Sequence, residues 1–215
     1  MRAHLALAVL CASATPALAE GDVYSTATKV SRVEDVVWAL TATCADHGDD
    51  TQQRQCRQLR DARQKELAGQ TILVEGDATA FTVGAYDAAK KSAPVSLSAC
   101  VYCSPIAVEG KSYMVFGGAP RMVEGTVKPA TLHDGTQTFA TAAEHAAFKK
   151  KVAAARVDLL VKSPDKKPWT LAGKSGLSFD IVGYRVVVPC TGEVVIAKPA
   201  SMPIAPDKKA CNTSK

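Results

Sequence analysis

Six cysteines follow a secretion signal, and no other feature constrains this chain as much. Residues 1–19 carry Arg2 near the start, an apolar run over 5–12, and Ala17-Leu18-Ala19 ahead of Glu20. A charged start, a short apolar stretch and a small-x-small ending are the three parts of a cleavable leader. The pattern predicts a secreted or periplasmic protein, in an oxidising compartment where paired thiols become disulfides. Cys11 leaves with the leader, and Leu10 before it is not the small residue that a lipid-attachment cysteine needs. Cys44, Cys56, Cys100, Cys103, Cys190 and Cys211 remain, an even number.

Removing 19 residues from 215 leaves 196, enough for one domain or two small ones. Hydrophobic content of 47% supplies a true core, so the cysteines supplement it rather than replace it. Past the leader no apolar run reaches the ~18–20 residues of a membrane helix, so no transmembrane segment is expected after cleavage. Residues 142–215 carry 13 Lys/Arg against 6 Asp/Glu, whereas residues 20–141 carry 12 against 15. The lysines of the basic half come in pairs and triplets without interleaved aromatics, and aromatics make up only 6% of the chain. That is poor material for stacking on bases, so no nucleic-acid partner is expected and the lysines read as a solvated face.

Patterning predicts an α+β fold: an N-terminal disulfide-linked helical hairpin, antiparallel strands, a third helix and a C-terminal β-hairpin. The stretches are the leader 1–19, the helical hairpin 20–69, a first strand region 70–138, a helix with a second strand region 139–198, and a Pro/Lys-rich tail 199–215 that reads as loosely attached. Ser31-Arg32-Val33-Glu34 and Thr141-Ala142-Ala143-Glu144 have the spacing of capping boxes. Val33, Val37, Leu40 and Cys44 recur at helical spacing, and Asp49 or Asp50 starts a second helix over 51–67. Strands are expected over 71–75, 80–86, 95–103, 112–116, 177–182, 184–188 and 193–197, the last two joined by a turn at Pro189-Cys190-Thr191-Gly192. Residues 117–138 read as a loop with a short strand near Met122. Residues 156–161 fit either the end of the third helix or a strand. Leu67-Ala68-Gly69 reappears as Leu171-Ala172-Gly173, which raises a duplication, although a true repeat recurs at a fixed period and this one does not.

Cysteine spacing carries geometry. Cys44 and Cys56 lie six residues either side of Asp50. Positions equidistant from the turn of a helical hairpin face each other, so these two are expected to bridge. Cys100 and Cys103 end a strand. In a regular strand they stand ~10 Å apart, too far to bridge, so either the chain bends at Ser104-Pro105 or both reach Cys190 and Cys211. Local pairing (100 with 103, 190 with 211) and cross-pairing both remain open.

The same Cys100-Val101-Tyr102-Cys103 spacing also serves redox, haem and zinc chemistry. Haem attachment needs a histidine where Ser104 stands. A redox pair sits at a helix N-terminus, which lowers a thiol pKa, and here the pair ends a strand. Zinc would draw its further ligands from Cys190 and Cys211. His47, His133 and His145 form no ligand spacing, and His145 reads as a surface residue. The Asp46-His47-Gly48-Asp49-Asp50 loop lacks the alternating oxygens of a calcium site. No hydrolase elbow, phosphate loop or dinucleotide fingerprint is present. The expected function is that of an exported, disulfide-stabilised, non-catalytic binding or structural module without a cofactor. The alternatives are a thiol–disulfide oxidoreductase using Cys100 and Cys103, and a metal-binding protein using the cysteines of the C-terminal half.

Overall fold

The structure is a computed structural model and describes residues 22–30, 32–76, 78–162 and 167–212. The expected leader with Cys11, and Ser31 of the first expected capping box, lie outside the described residues. In chain order the elements are α1 Val23–Thr26, β1 Thr28–Val30, α2 Val33–Thr41, α3 Asp50–Leu67, β2 Thr71–Gly76, β3 Phe81–Val83, β4 Ser92–Ser98, β5 Cys100–Val108, β6 Lys111–Gly117, β7 Arg121–Val123, β8 Thr126–Lys128, β9 Thr131–Thr138, α4 Ala142–Val152, β10 Arg156–Lys162, β11 Trp169–Leu171, β12 Lys174–Val188 and β13 Glu193–Lys198. The chain is α+β, and its hairpin of α2 and α3 is bridged by Cys44–Cys56.

Local chemistry explains the helix starts. Asp49 accepts the N–H groups of Thr51 and Gln52, both at 2.9 Å, a cap worth about 1 kcal/mol. Thr141 accepts the Glu144 N–H at 3.1 Å, and the Glu144 carboxylate returns to the N–H of Ala140, one residue ahead of the cap. α2 instead begins behind Arg32, which makes no side-chain cap.

β12 organises the sheets. Residues 177–182 and 184–188 form one strand, because Gly183 interrupts nothing: a Cβ there would stand 2.9 Å from the Lys198 carbonyl, so glycine lets β13 lie close. The C-terminal part of β12 pairs antiparallel with β10 on one side and β13 on the other. Its N-terminal part pairs parallel with β6 and antiparallel with β11. The path runs β1-β2-β10-β12-β6-β5, with β1 parallel to β2, so the large sheet is mixed rather than wholly antiparallel. Residues 156–161 belong to β10. Residues 157–161 are buried on both faces, which removes the alternation that marks a half-exposed strand.

A second sheet, β3-β4-β9, contains an eight-residue strand in the region that reads as a loop. Val37, Ile72, Leu97, Val101, Leu159 and Phe179 belong to one apolar cluster shared by the helical hairpin and both sheets. The duplication does not hold. Leu67 ends α3, whereas Ala172 and Gly173, at φ 47° and 71°, turn β11 into β12. Nor is the tail loose. The Ile204 N–H donates to the Gly192 carbonyl at 2.9 Å and the Asp207 N–H to Pro189 at 2.8 Å.

Candidate functional site

Cys44 and Cys56 bridge with their Cα atoms 5.8 Å apart, both buried. Cys44 has φ 63°, a left-handed conformation that a cysteine adopts only when its surroundings impose it. Glu109 does so from the β5–β6 turn, itself at φ 47°. Its carboxylate accepts the Thr43 N–H at 2.8 Å, the Thr43 hydroxyl at 2.7 Å and the Cys44 N–H at 2.8 Å, with His47 Nε2 3.8 Å away. Desolvation raises the Glu109 pKa, but the bonds from Thr43 and Cys44 and the charge of His47 outweigh it and hold the carboxyl below its ordinary value. Ligand atoms of Cys44, Cys56 and Glu109 lie within 4.8 Å of one another. The sulfurs are bonded to each other and the carboxylate is filled by three donors, so this is a clamp that fastens the helical hairpin to β5 and β6.

Cys100 and Cys103 bridge locally, with Cα atoms 5.4 Å apart. A regular strand forbids this; a bulged one does not. Cys100 pairs with Phe116, Tyr102 with Val115 and Ile106 with Tyr113. Opposite the single residue Met114, β5 therefore carries Cys103, Ser104 and Pro105. Pro105 has no N–H to give to the ladder, so the strand bows outward there and Cys103 folds back over Cys100. Cys100 is buried and Cys103 half-buried, and the strand continues to Val108 with no helix following the pair.

Cys190, in the β12–β13 turn, bridges to Cys211 with Cα atoms 4.8 Å apart. The pairing is therefore local throughout, and the four sulfurs that a C-terminal metal site requires are taken up in two bridges.

The histidines remain apart. His145 is not a plain surface residue. It is half-buried, its Nε2 lies 3.0 Å from the Gly84 carbonyl, and its ring stacks on Tyr86 and meets Phe139 edge-on. His133 Nδ1 lies 3.5 Å from the Tyr184 hydroxyl.

A buried ionic cluster on one shared face of β10 and β12 is not announced by any motif of the chain. Asp158 and Arg185 are 3% and 5% exposed. Arg185 Nε donates to Asp158 at 2.8 Å, and Arg156 Nε donates to the other oxygen at 2.7 Å. The Arg156 guanidinium loses by desolvation but gains more from Asp158, and its pKa rises. Arg185 also reaches Asp22 at 3.1 Å and Ser201 at 3.2 Å, and it lies 4.4 Å over the Tyr24 ring. The Tyr24 hydroxyl donates to the carbonyls of Tyr184 and Lys198, at 2.6 and 2.9 Å. Burial is the main reason that its pKa rises to about 12. The start of the described chain and the segment that follows β13 are thus both fastened to β12. A lone Arg and a lone Asp in strand-like sequence announce none of this, because the register places them together.

No family model, curated protein or solved structure matches this chain.

Proposed function

We infer that this chain is an exported, disulfide-stabilised module that binds or builds rather than catalyses. The observation that carries the reading is the pairing of all six cysteines beyond the leader into three local bridges, which leaves them without a thiol for nucleophilic or ligating chemistry. The leader pattern of residues 1–19 supports export. No described helix is long and apolar enough to cross a membrane. Free thiols counted in the denatured, unreduced protein test the reading: none are expected in the mature chain, and two or more would sink it. Mass analysis of the exported form should give Glu20 as the first residue.

A second reading is favoured by the half-buried Cys103 in a three-residue bridge: an oxidoreductase that uses this pair. Against it stands the lack of a following helix, the usual source of a lowered thiol pKa. Insulin reduction, compared with a Cys100→Ser, Cys103→Ser double variant, separates the two readings.

A further inference from the structure

β3 is an edge strand. The small sheet runs β3-β4-β9, so β3 pairs with β4 on one side only. The register decides what its open side presents. The Gly84 N–H donates to the Pro94 carbonyl at 2.8 Å, and bonded pairs alternate along an antiparallel ladder. Thr82 therefore bonds toward β4, and the N–H and C=O of Val83 point away from it. Neither group has a hydrogen-bond partner among the described residues. An open edge of this kind is a template for another strand.

α4 stands beside this edge. Pro94 has no N–H to return to Gly84, and the Gly84 carbonyl instead meets His145 Nε2 at 3.0 Å. Phe148 packs on Phe139 with ring centroids 5.3 Å apart, and Val152 is buried. A groove of about 340 Å³ separates helix from strand, lined on one side by Phe81, Thr82 and Val83 and on the other by Lys149, Val152 and Ala153. Successive side chains of a strand point to opposite faces, so a groove that touches all three residues of β3 runs along its edge rather than over one face. Phe81 and Val152 give the groove apolar surface. Lys149 makes no ion pair among the described residues.

We propose that the groove between β3 and α4 binds an extended, acidic peptide segment of a partner protein, which adds to β3 as a further strand of the small sheet. The inference deepens the reading of this chain as a binding module and rests on it. The Val83 N–H donates to the segment, and the Val83 carbonyl accepts from it. Main-chain bonds of this kind hold a peptide whatever its sequence, and the side chains around them select it. An apolar side chain of the segment lies on Phe81 and Val152, and an acidic neighbour meets Lys149. β3 offers three residues, ~10 Å of edge, which selects a short segment.

The test uses the blocked pentapeptide Glu-Val-Glu-Val-Glu at millimolar concentration, with Lys-Val-Lys-Val-Lys as its counterpart. Amide shifts and hydrogen exchange of the isotope-labelled mature protein are the readout. The Val83 N–H should shift saturably and gain protection with the acidic peptide. Thr136 is the control. The Phe139 N–H donates to the Lys91 carbonyl at 2.8 Å, so in step with it Gly135 and Gln137 bond to β4 and the Thr136 N–H faces the other open edge of the same sheet. Lys149→Gln, a change at an exposed position, should weaken the acidic peptide by about threefold, the worth of one exposed ion pair. N-methylation of the peptide bonds should abolish binding. Absence of a saturable shift at Val83, or an equal shift at Thr136, would overturn the groove and leave the wider reading of a binding module standing. Undiminished binding of the methylated peptide would overturn strand addition. Equal binding of the lysine peptide, or an unchanged affinity in Lys149→Gln, would overturn the acidic partner. Protection of Val83 that rises with protein concentration alone would give the edge to a second copy of the chain and overturn the partner segment. Cleavage of the peptide would instead overturn the non-catalytic reading and leave the groove standing.

Discussion

Arg185 and Asp158 are direct cross-strand partners on β12 and β10, and the bond between them, Nε to Oδ2, is 2.8 Å. Both side chains are almost wholly buried, and Asp158 is shared with Arg156, whose side chain is 23% exposed. Breaking a buried pair by removing one partner leaves a charge that nothing compensates, at a cost of about 3–5 kcal/mol. Asp158→Asn should therefore lower the urea midpoint strongly without changing the slope of the transition. Arg156→Gln should cost less, because Arg156 is partly hydrated. A loss below about 1 kcal/mol for Asp158→Asn would mean that the cluster is no anchor.

The Cys44–Cys56 bridge closes a short loop, for which chain entropy gives roughly 3 kcal/mol. α3 has little else to hold it, since Cys56 and Leu67 are its buried residues. Unreduced peptide mapping should recover Cys44 and Cys56 as one linked pair. Replacing both by serine should raise hydrogen exchange throughout α3 before β10 or β12 is affected. Unchanged protection of α3 would show that the bonds of Arg60 to the Ala42 carbonyl and of Gln64 to the Ala39 carbonyl hold the hairpin alone.

These two anchors differ in how far the sequence announces them. Cys44 and Cys56 stand at equal distances from a capped turn, so their pairing follows from helix geometry. The caps at Asp49 and Thr141 follow from local hydrogen bonding, which depends on a few neighbouring residues. Arg185 and Asp158 are 27 residues apart, and only the β10–β12 register brings them together. The parallel pairings of β1 with β2 and of β6 with β12 are non-local in the same way. β9 is hidden for another reason: Thr131–Thr138 is almost all polar, an edge strand of a small sheet with little apolar alternation to read. The Cys100–Cys103 closure depends on a bulge, whose register shift is a property of the strand pair rather than of β5 alone.

Glu109→Gln keeps the size of the clamp and removes its charge. The carboxylate, bonded to Thr43 and Cys44, is stabilised in the fold, so its pKa is lower than in the unfolded chain. Its contribution is present above the unfolded glutamate pKa of roughly 4.3 and is lost as the pH falls through the lower folded value. The wild type should therefore lose stability on acidification faster than Glu109→Gln. At neutral pH the variant should be weaker by about 1.5–3 kcal/mol, the range for charged hydrogen bonds. Parallel acid limbs for the two proteins would sink the assignment of the clamp to Glu109.

The alkaline limb belongs to Tyr24. Its hydroxyl is buried and donates to two carbonyls, so ionisation in the fold would desolvate a phenolate and lose both bonds. Its pKa is pushed up to about 12, against an ordinary 10.0. The raised value fixes the sign: between pH 10 and 12 the unfolded chain releases this proton and the fold keeps it, so stability falls as pH rises. Two pH units correspond to about 3 kcal/mol. Tyr24→Phe removes the titration and strands the Tyr184 and Lys198 carbonyls, which costs about 1–3 kcal/mol at neutral pH. Its stability should then approach that of the wild type as the pH climbs, measured by urea unfolding of both proteins at each pH. A constant gap between the two curves across that window would show that Tyr24 ionises as readily in the fold as in the unfolded chain, and the clamp over Arg185 would lose its support.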